Sequence, residues 1–201
     1  SCEDEDCINS DESLCIYSMG TEYLPGSLSE YPCNDSDGDE FLYDIGDQLR
    51  CSDVEKTYSI CYPDCDTTFK LADFHGKAIY ILLETSWWPS CYDTLSSFDN
   101  FVLDYLVDYE PNLIILNFFY DEGQPYSCSE WGATANNNLP LIVNDGVYGD
   151  GLDKLFMNDG VAPKHIFIDK DLKLRFKKSG ELDTPTKISK IKEMLEEIEG
   201  N

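Results

Sequence analysis

Cysteine thiols are the clearest chemistry on offer in this 201-residue chain. A continuous apolar run, Ala78-Ile79-Tyr80-Ile81-Leu82-Leu83, leads into Trp87-Trp88-Pro89-Ser90-Cys91, and a helical pattern follows. A thiol at the start of a helix is acidified by the dipole and the free N–H groups, so it can act as a nucleophilic thiolate. Exchange also needs a second cysteine, which closes the disulfide and releases the product. Cys91 has no such partner in its own turn, because Trp88 stands three residues before it. Glu84, closing the apolar run, is either a proton relay or an exposed strand end. Cys61-Tyr62-Pro63-Asp64-Cys65 has a spacing found among zinc ligands. No second pair of this kind exists, and His75 and His165 are the only histidines, so disulfides are favoured and no metal site is expected. Neither histidine is assigned to catalysis. Asp35, Asp37 and Asp39 alternate as in calcium loops. However, the glycine falls at the fourth position rather than the sixth, and Gly46 stands where a bidentate glutamate is needed, which favours a solvated acidic turn.

Forty acidic residues against 14 basic ones give a formal charge of -26. That excludes the electrostatics of nucleic-acid binding and argues against charge-driven adsorption to anionic lipid. The acidity reads as a solvated surface suited to a saline or extracellular setting, the alternative being acidic runs that recruit a cationic partner. Nine cysteines, seven of them before residue 66, point to an oxidising compartment. Cys2, behind a single serine and ahead of Glu3-Asp4-Glu5-Asp6, sits where a bacterial lipoprotein carries its lipidated cysteine. The expectation is a secreted, periplasmic or cell-surface protein whose one link to a membrane is a lipid anchor at Cys2. Eight cysteines then remain for four bridges; the alternative is a secreted protein with one free thiol.

Residues 1–43 read as an acidic, cysteine-rich extension or tether, and 44–201 as one folded domain. Val54–Ile60 and Thr67–Leu71 are expected to form a strand pair joined by the Cys61–Cys65 turn. After Cys91, apolar residues at Leu95, Phe98, Phe101, Val102, Tyr105 and Leu106 recur at helical spacing. Leu113–Phe119 is a second buried strand, residues 139–143 a short one, and Gly151–Asn158 a short helix. A hairpin follows, with Val161–Asp169 leading to the turn Asp169-Lys170-Asp171 and Leu172–Phe176 as its second strand. The last helix is expected to start with Thr184 as N-cap and Pro185 at its first position.

The stretch from Gly76 to Cys91, with Leu71-Ala72-Asp73-Phe74-His75-Gly76-Lys77 before it, resembles the thioredoxin superfamily, especially its secreted, membrane-anchored redoxin branch. The resemblance covers about residues 44–199. It implies an α/β, thioredoxin-like fold: a central mixed sheet flanked by helices, here preceded by a disulfide-rich irregular N-terminal extension. In register, Cys91 falls on the second cysteine of the family motif and Trp88 on the first; the peroxiredoxin nucleophile also aligns with Trp88. The fold implied makes the 113–119 strand a parallel neighbour of the 79–83 strand. Cys128 then leaves the same sheet edge as Cys91, and a Cys91–Cys128 bridge is expected there, either cycling or static. Pro163 aligns with the family's cis-proline and, with Trp87 and Trp88, is expected to shape a substrate groove, core packing being the equal alternative for each tryptophan. The implied function is thiol-disulfide exchange through Cys91 and Cys128 with protein or peptide thiols and disulfides, without a cofactor. The alternative is an inactive binding or structural lipoprotein that keeps the groove.

Overall fold

The computed structural model describes residues 30–35, 42–62, 68–98, 100, 106, 112–121, 125–135, 140–144 and 151–200. Seven strands form one mixed sheet: β1 (Thr57–Tyr62), β2 (Thr68–Lys70), β3 (Ala78–Glu84), β4 (Leu113–Phe119), β5 (Leu141–Asn144), β6 (Lys164–Ile168) and β7 (Leu174–Ser179). Their spatial order is β2-β1-β5-β4-β3-β6-β7. β3–β4 and β4–β5 are parallel, and the remaining pairs are antiparallel.

β3 and β4 are buried at every position because the sheet is covered on both faces, as their uninterrupted apolar runs predict. One face carries Ile79, Ile81 and Leu83 of β3 with Ile114, Leu116 and Phe118 of β4, packed against Tyr43, Phe69, Phe74 and Phe156. The other carries Ala78, Tyr80 and Leu82 against Ile191, Met194 and Leu195, which come from the C-terminal helix Thr184–Glu199. A third cluster lies at the C-terminal edge of β3 and β4 and holds Cys91, Leu95, Phe119, Cys128, Trp131, Ile142 and Ala162. Among the described residues the helices are α1 (Cys51–Val54), α2 (Pro89–Ser96), α3 (Cys128–Gly132), α4 (Asp153–Phe156) and α5 (Thr184–Glu199), with a 3-10 turn at Leu71–Phe74. None of them is long and apolar enough to cross a membrane.

Several boundaries differ from the sequence expectation for local reasons. Residues 51–54 are helical, so β1 starts at Thr57. The N-cap of α5 is Asp183 rather than Thr184: its carboxylate accepts from the Thr186 N–H at 2.9 Å, which puts Thr184 and Pro185 inside the first turn. In the final hairpin Leu172 takes a positive φ of 59°, so β7 begins at Leu174 and not at Leu172. Asp169 holds this turn, its carboxylate accepting from the N–H groups of Asp171 and Lys173 at 3.0 Å each.

The end of the N-terminal stretch packs on the domain. Cys33 is disulfide-bonded to Cys51, and Asn34 exchanges backbone hydrogen bonds with Leu49 and Cys51. Tyr43 is fully buried, and its hydroxyl donates to Asp53 and accepts from the Arg50 N–H. Cys2, Cys65, Asp37 and Asp39, and with them the lipid-anchor and most of the calcium-loop expectation, lie outside the described residues. Asp35 is exposed.

Candidate functional site

β3 ends at Glu84, and Thr85-Ser86-Trp87 turn the chain into α2, with Trp88 as the N-cap and Pro89 at the first position. Proline suits that place because its missing N–H would have no helical partner. The turn is tied to the end of β4. The carboxylate of Asp121 accepts from the Ser86 N–H at 3.0 and 3.1 Å and from its hydroxyl at 3.3 Å. Burial raises the Asp121 pKa while these donors lower it. Trp87 and Trp88 sit edge to face, ring centroids 5.0 Å apart, and are 52% and 37% exposed. Tyr92, one turn further along α2, is exposed too, as is Val161 next to the Ala162–Pro163 bond. That bond is cis, and Pro163 itself is buried. The two tryptophans therefore form an open aromatic surface, whereas Pro163 is buried.

Cys91 faces inward and has no exposed surface. Burial pushes its thiol well above the ordinary value, the nearby Glu84 adds to this, and hydrogen bonds from Thr85 act the other way. It is the free cysteine among the described residues.

The expected Cys91–Cys128 bridge is not formed: Cys128 is disulfide-bonded to Cys61. The reason is topological. β5 lies between β4 and β1, and α3, which connects β4 to β5, packs across β1, so that its first residue meets Cys61 near the β1 terminus. Gly132 allows this approach, since a Cβ there would collide with the Tyr62 ring. Cys91 and the Cys61–Cys128 disulfide nevertheless belong to the same apolar cluster, together with Trp131 and Phe119, whose rings stack at 5.5 Å.

Beneath the turn lies a buried polar network around Glu84, whose partners Asn117 and Trp131 the sequence reading did not assign. Glu84 is fully buried, which corrects the alternative of an exposed strand end. The Asn117 amide donates to its Oε2, and Trp131 Nε1 donates to Asn117 Oδ1 at 3.4 Å. Glu84 Oε1 has no hydrogen-bond partner. Burial pushes the Glu84 pKa up to about 8, with the Asn117 donor and Lys187 of α5 opposing the shift, so the side chain is mostly a neutral acid at pH 7. Burial also lowers the Lys187 pKa. On β6, opposite Leu82, His165 Nδ1 lies 2.8 Å from the Tyr80 hydroxyl. Burial lowers the His165 pKa to about 3 and raises that of Tyr80, so the tyrosine donates to a neutral imidazole. Besides Glu84, the sequence signal for this network is Asn117, a lone amide inside Leu113–Phe119.

No protein-family model and no curated protein matches the sequence. Solved structures do. A putative thiol:disulfide interchange protein DsbE from Chlorobium tepidum superposes with a TM-score of 0.56 at 16% identity, over 76% of this chain and 98% of its own. A putative protein disulfide isomerase from Bacteroides thetaiotaomicron gives 0.54 at 17% identity, over 77% and 95%. The exposed lipoprotein thioredoxin of Streptococcus pneumoniae gives 0.50 at 19%, over 64% and 93%. The fold is thioredoxin-like. Within the thioredoxin-like sheet, the turn after β3, the N-terminus of α2 and the Ala162–Pro163 bond meet at one edge, where Cys91 and Ala162 share a cluster. At that edge the chain presents indole rings and a buried thiol.

Proposed function

We propose that this chain is an extracytoplasmic thioredoxin-fold protein that binds an extended polypeptide at the Trp87–Trp88 turn without turning over disulfides. The observation that carries this reading is the state of the sulfurs: Cys128 is committed to Cys61, and Cys91 is a buried thiol of raised pKa. A nucleophile in exchange must be both accessible and ionised, and Cys91 is neither. The open aromatic rings at the α2 N-terminus supply the contact area that a peptide would bury. The disulfides Cys33–Cys51 and Cys61–Cys128 support an oxidising compartment, in line with the secreted and lipoprotein neighbours.

A second reading, thiol-disulfide oxidoreductase, is favoured by the sharing of one cluster between Cys91 and the Cys61–Cys128 disulfide. In that reading a Cys91 thiolate attacks the Cys128 sulfur, forming Cys91–Cys128 and releasing the Cys61 thiolate; that thiolate attacks a substrate disulfide, giving a mixed disulfide and a substrate thiolate, and an external dithiol resolves the mixed disulfide and becomes oxidised. A disulfide-reduction assay on insulin separates the two. Reduction no faster than with dithiothreitol alone supports the binding reading. Catalysed turnover that disappears in Cys91→Ser overturns it and establishes the exchange.

A further inference from the structure

Charge is divided along this chain in a way that singles out the aromatic turn. From Ala78 to Asp153 there is no lysine, arginine or histidine, while the same stretch holds twelve aspartates and glutamates. It contributes β3, the Thr85–Trp88 turn, α2, β4, α3 and β5, hence nearly all of the edge on which Trp87 and Trp88 stand. All 14 basic residues lie outside it.

Several of the described carboxylates sit on the elements that build this edge. Asp93 is exposed on α2 and Glu130 on α3. Asp121 braces the turn from the end of β4, and Asp159 accepts from the Val161 N–H at 3.1 Å. Lysines on adjoining elements offset them only in part: Lys164, 3% exposed, lies 3.9 Å from Asp159 and donates to the Met157 carbonyl at 2.8 Å, Lys187 is half-buried near Glu84, and Lys178 of β7 is exposed.

Two physical effects then select the same occupant. A net negative field around a binding surface concentrates and steers cations. Exposed indole and phenol faces hold lysine and arginine side chains by cation–π attraction, tryptophan most strongly. We propose that the partner held at this edge is a cationic polypeptide, an extended segment whose lysine or arginine side chains lie on the rings of Trp87, Trp88 and Tyr92. The proposal rests on the binding role proposed above and names the chemistry of its ligand.

The test uses the full chain with its disulfides intact and a cysteine-free peptide alternating alanine and lysine, alongside analogues carrying glutamine or glutamate instead of lysine. Binding is followed by tryptophan fluorescence and calorimetry at low and high salt. The expected result is at least tenfold tighter binding of the lysine peptide than of the glutamine peptide at low salt, and a narrower gap at high salt. The glutamate peptide should bind more weakly than either. Trp87→Ala/Trp88→Ala, which leaves the net charge unchanged, should lose at least tenfold for the lysine peptide. Asp93→Lys, an exposed change on α2, should weaken the lysine peptide alone. Equal binding of all three peptides, lost in the tryptophan variant, would overturn the cationic preference and leave the binding role standing. Undiminished lysine-peptide binding in the tryptophan variant would reduce the effect to diffuse charge attraction and overturn the site. No binding of any peptide would overturn both.

Discussion

Glu84 lets the physics of this site be tested without knowledge of a ligand. Its carboxyl is fully buried, with one oxygen taking the Asn117 amide and the other unpartnered. Its pKa in the folded chain is about 8 against an ordinary 4.5. The folded state therefore keeps a proton that the unfolded state releases, so stability falls as pH rises between those two values and levels off above about 8. At 1.36 kcal/mol per pH unit the full difference is roughly 5 kcal/mol. Between about pH 6 and pH 9 the linkage relation predicts a loss of about 2.5 kcal/mol. Lys187, whose pKa is lowered by burial, acts in the opposite sense toward its own alkaline range, and the Cys91 thiol, raised from an ordinary 9.0, adds a further loss only beyond that value. Glu84→Gln keeps the shape and the acceptor for Asn117 but cannot ionise. Urea denaturation at a series of pH values, with disulfides intact, should give a declining stability for the natural chain and a flatter profile for Glu84→Gln. The variant should be the more stable protein at about pH 9, by roughly 2–4 kcal/mol. Parallel profiles would show that Glu84 ionises without penalty and would refute the buried-acid network.

His165 should set the acid side in mirror image. Its folded pKa of about 3 lies below its ordinary 6.5, so its contribution is present above the unfolded value and is lost as pH falls toward the folded one; His165→Gln should lose less stability over that window, measured by the same titration. Removing the Cys61–Cys128 bridge as a double alanine variant frees a separation of 67 residues and should cost about 4 kcal/mol, against about 3 for the 18-residue separation of Cys33–Cys51, by thermal unfolding. Gly132→Ala, a favourable change in an open helix, should here destabilise by about 1–3 kcal/mol because the new Cβ meets the Tyr62 ring; an unchanged melting temperature would contradict the α3–β1 packing. Peptide mapping after iodoacetamide treatment should find Cys91 unmodified in the native protein and fully modified in guanidinium; native labelling within minutes would show that it is not shielded.

The sequence by itself determined the elements whose physics is local. Ala78–Leu83 and Leu113–Phe119 are apolar at every or nearly every position and became the doubly covered centre of the sheet. The C-terminal helix was legible from its apolar spacing and Pro185, though the structure moves its cap from the expected Thr184 to Asp183. The aromatic character of the turn was legible too, but core packing and an open groove remained equal alternatives for Trp87 and Trp88 until the structure showed both rings exposed. Tertiary structure decided what depends on which segments meet. Cys128 pairs with Cys61 because β5 inserts between β4 and β1, a placement that four residues of short strand do not announce. Glu84 is neutral because the packed layers around it remove water, against the opposing pull of Asn117 and Lys187, from a carboxyl whose neighbours in the chain, Thr85 and Ser86, read as polar and exposed. Hydrophobic periodicity reports which face of an element is buried, but long-range pairing and the local dielectric are set by partners tens of residues away.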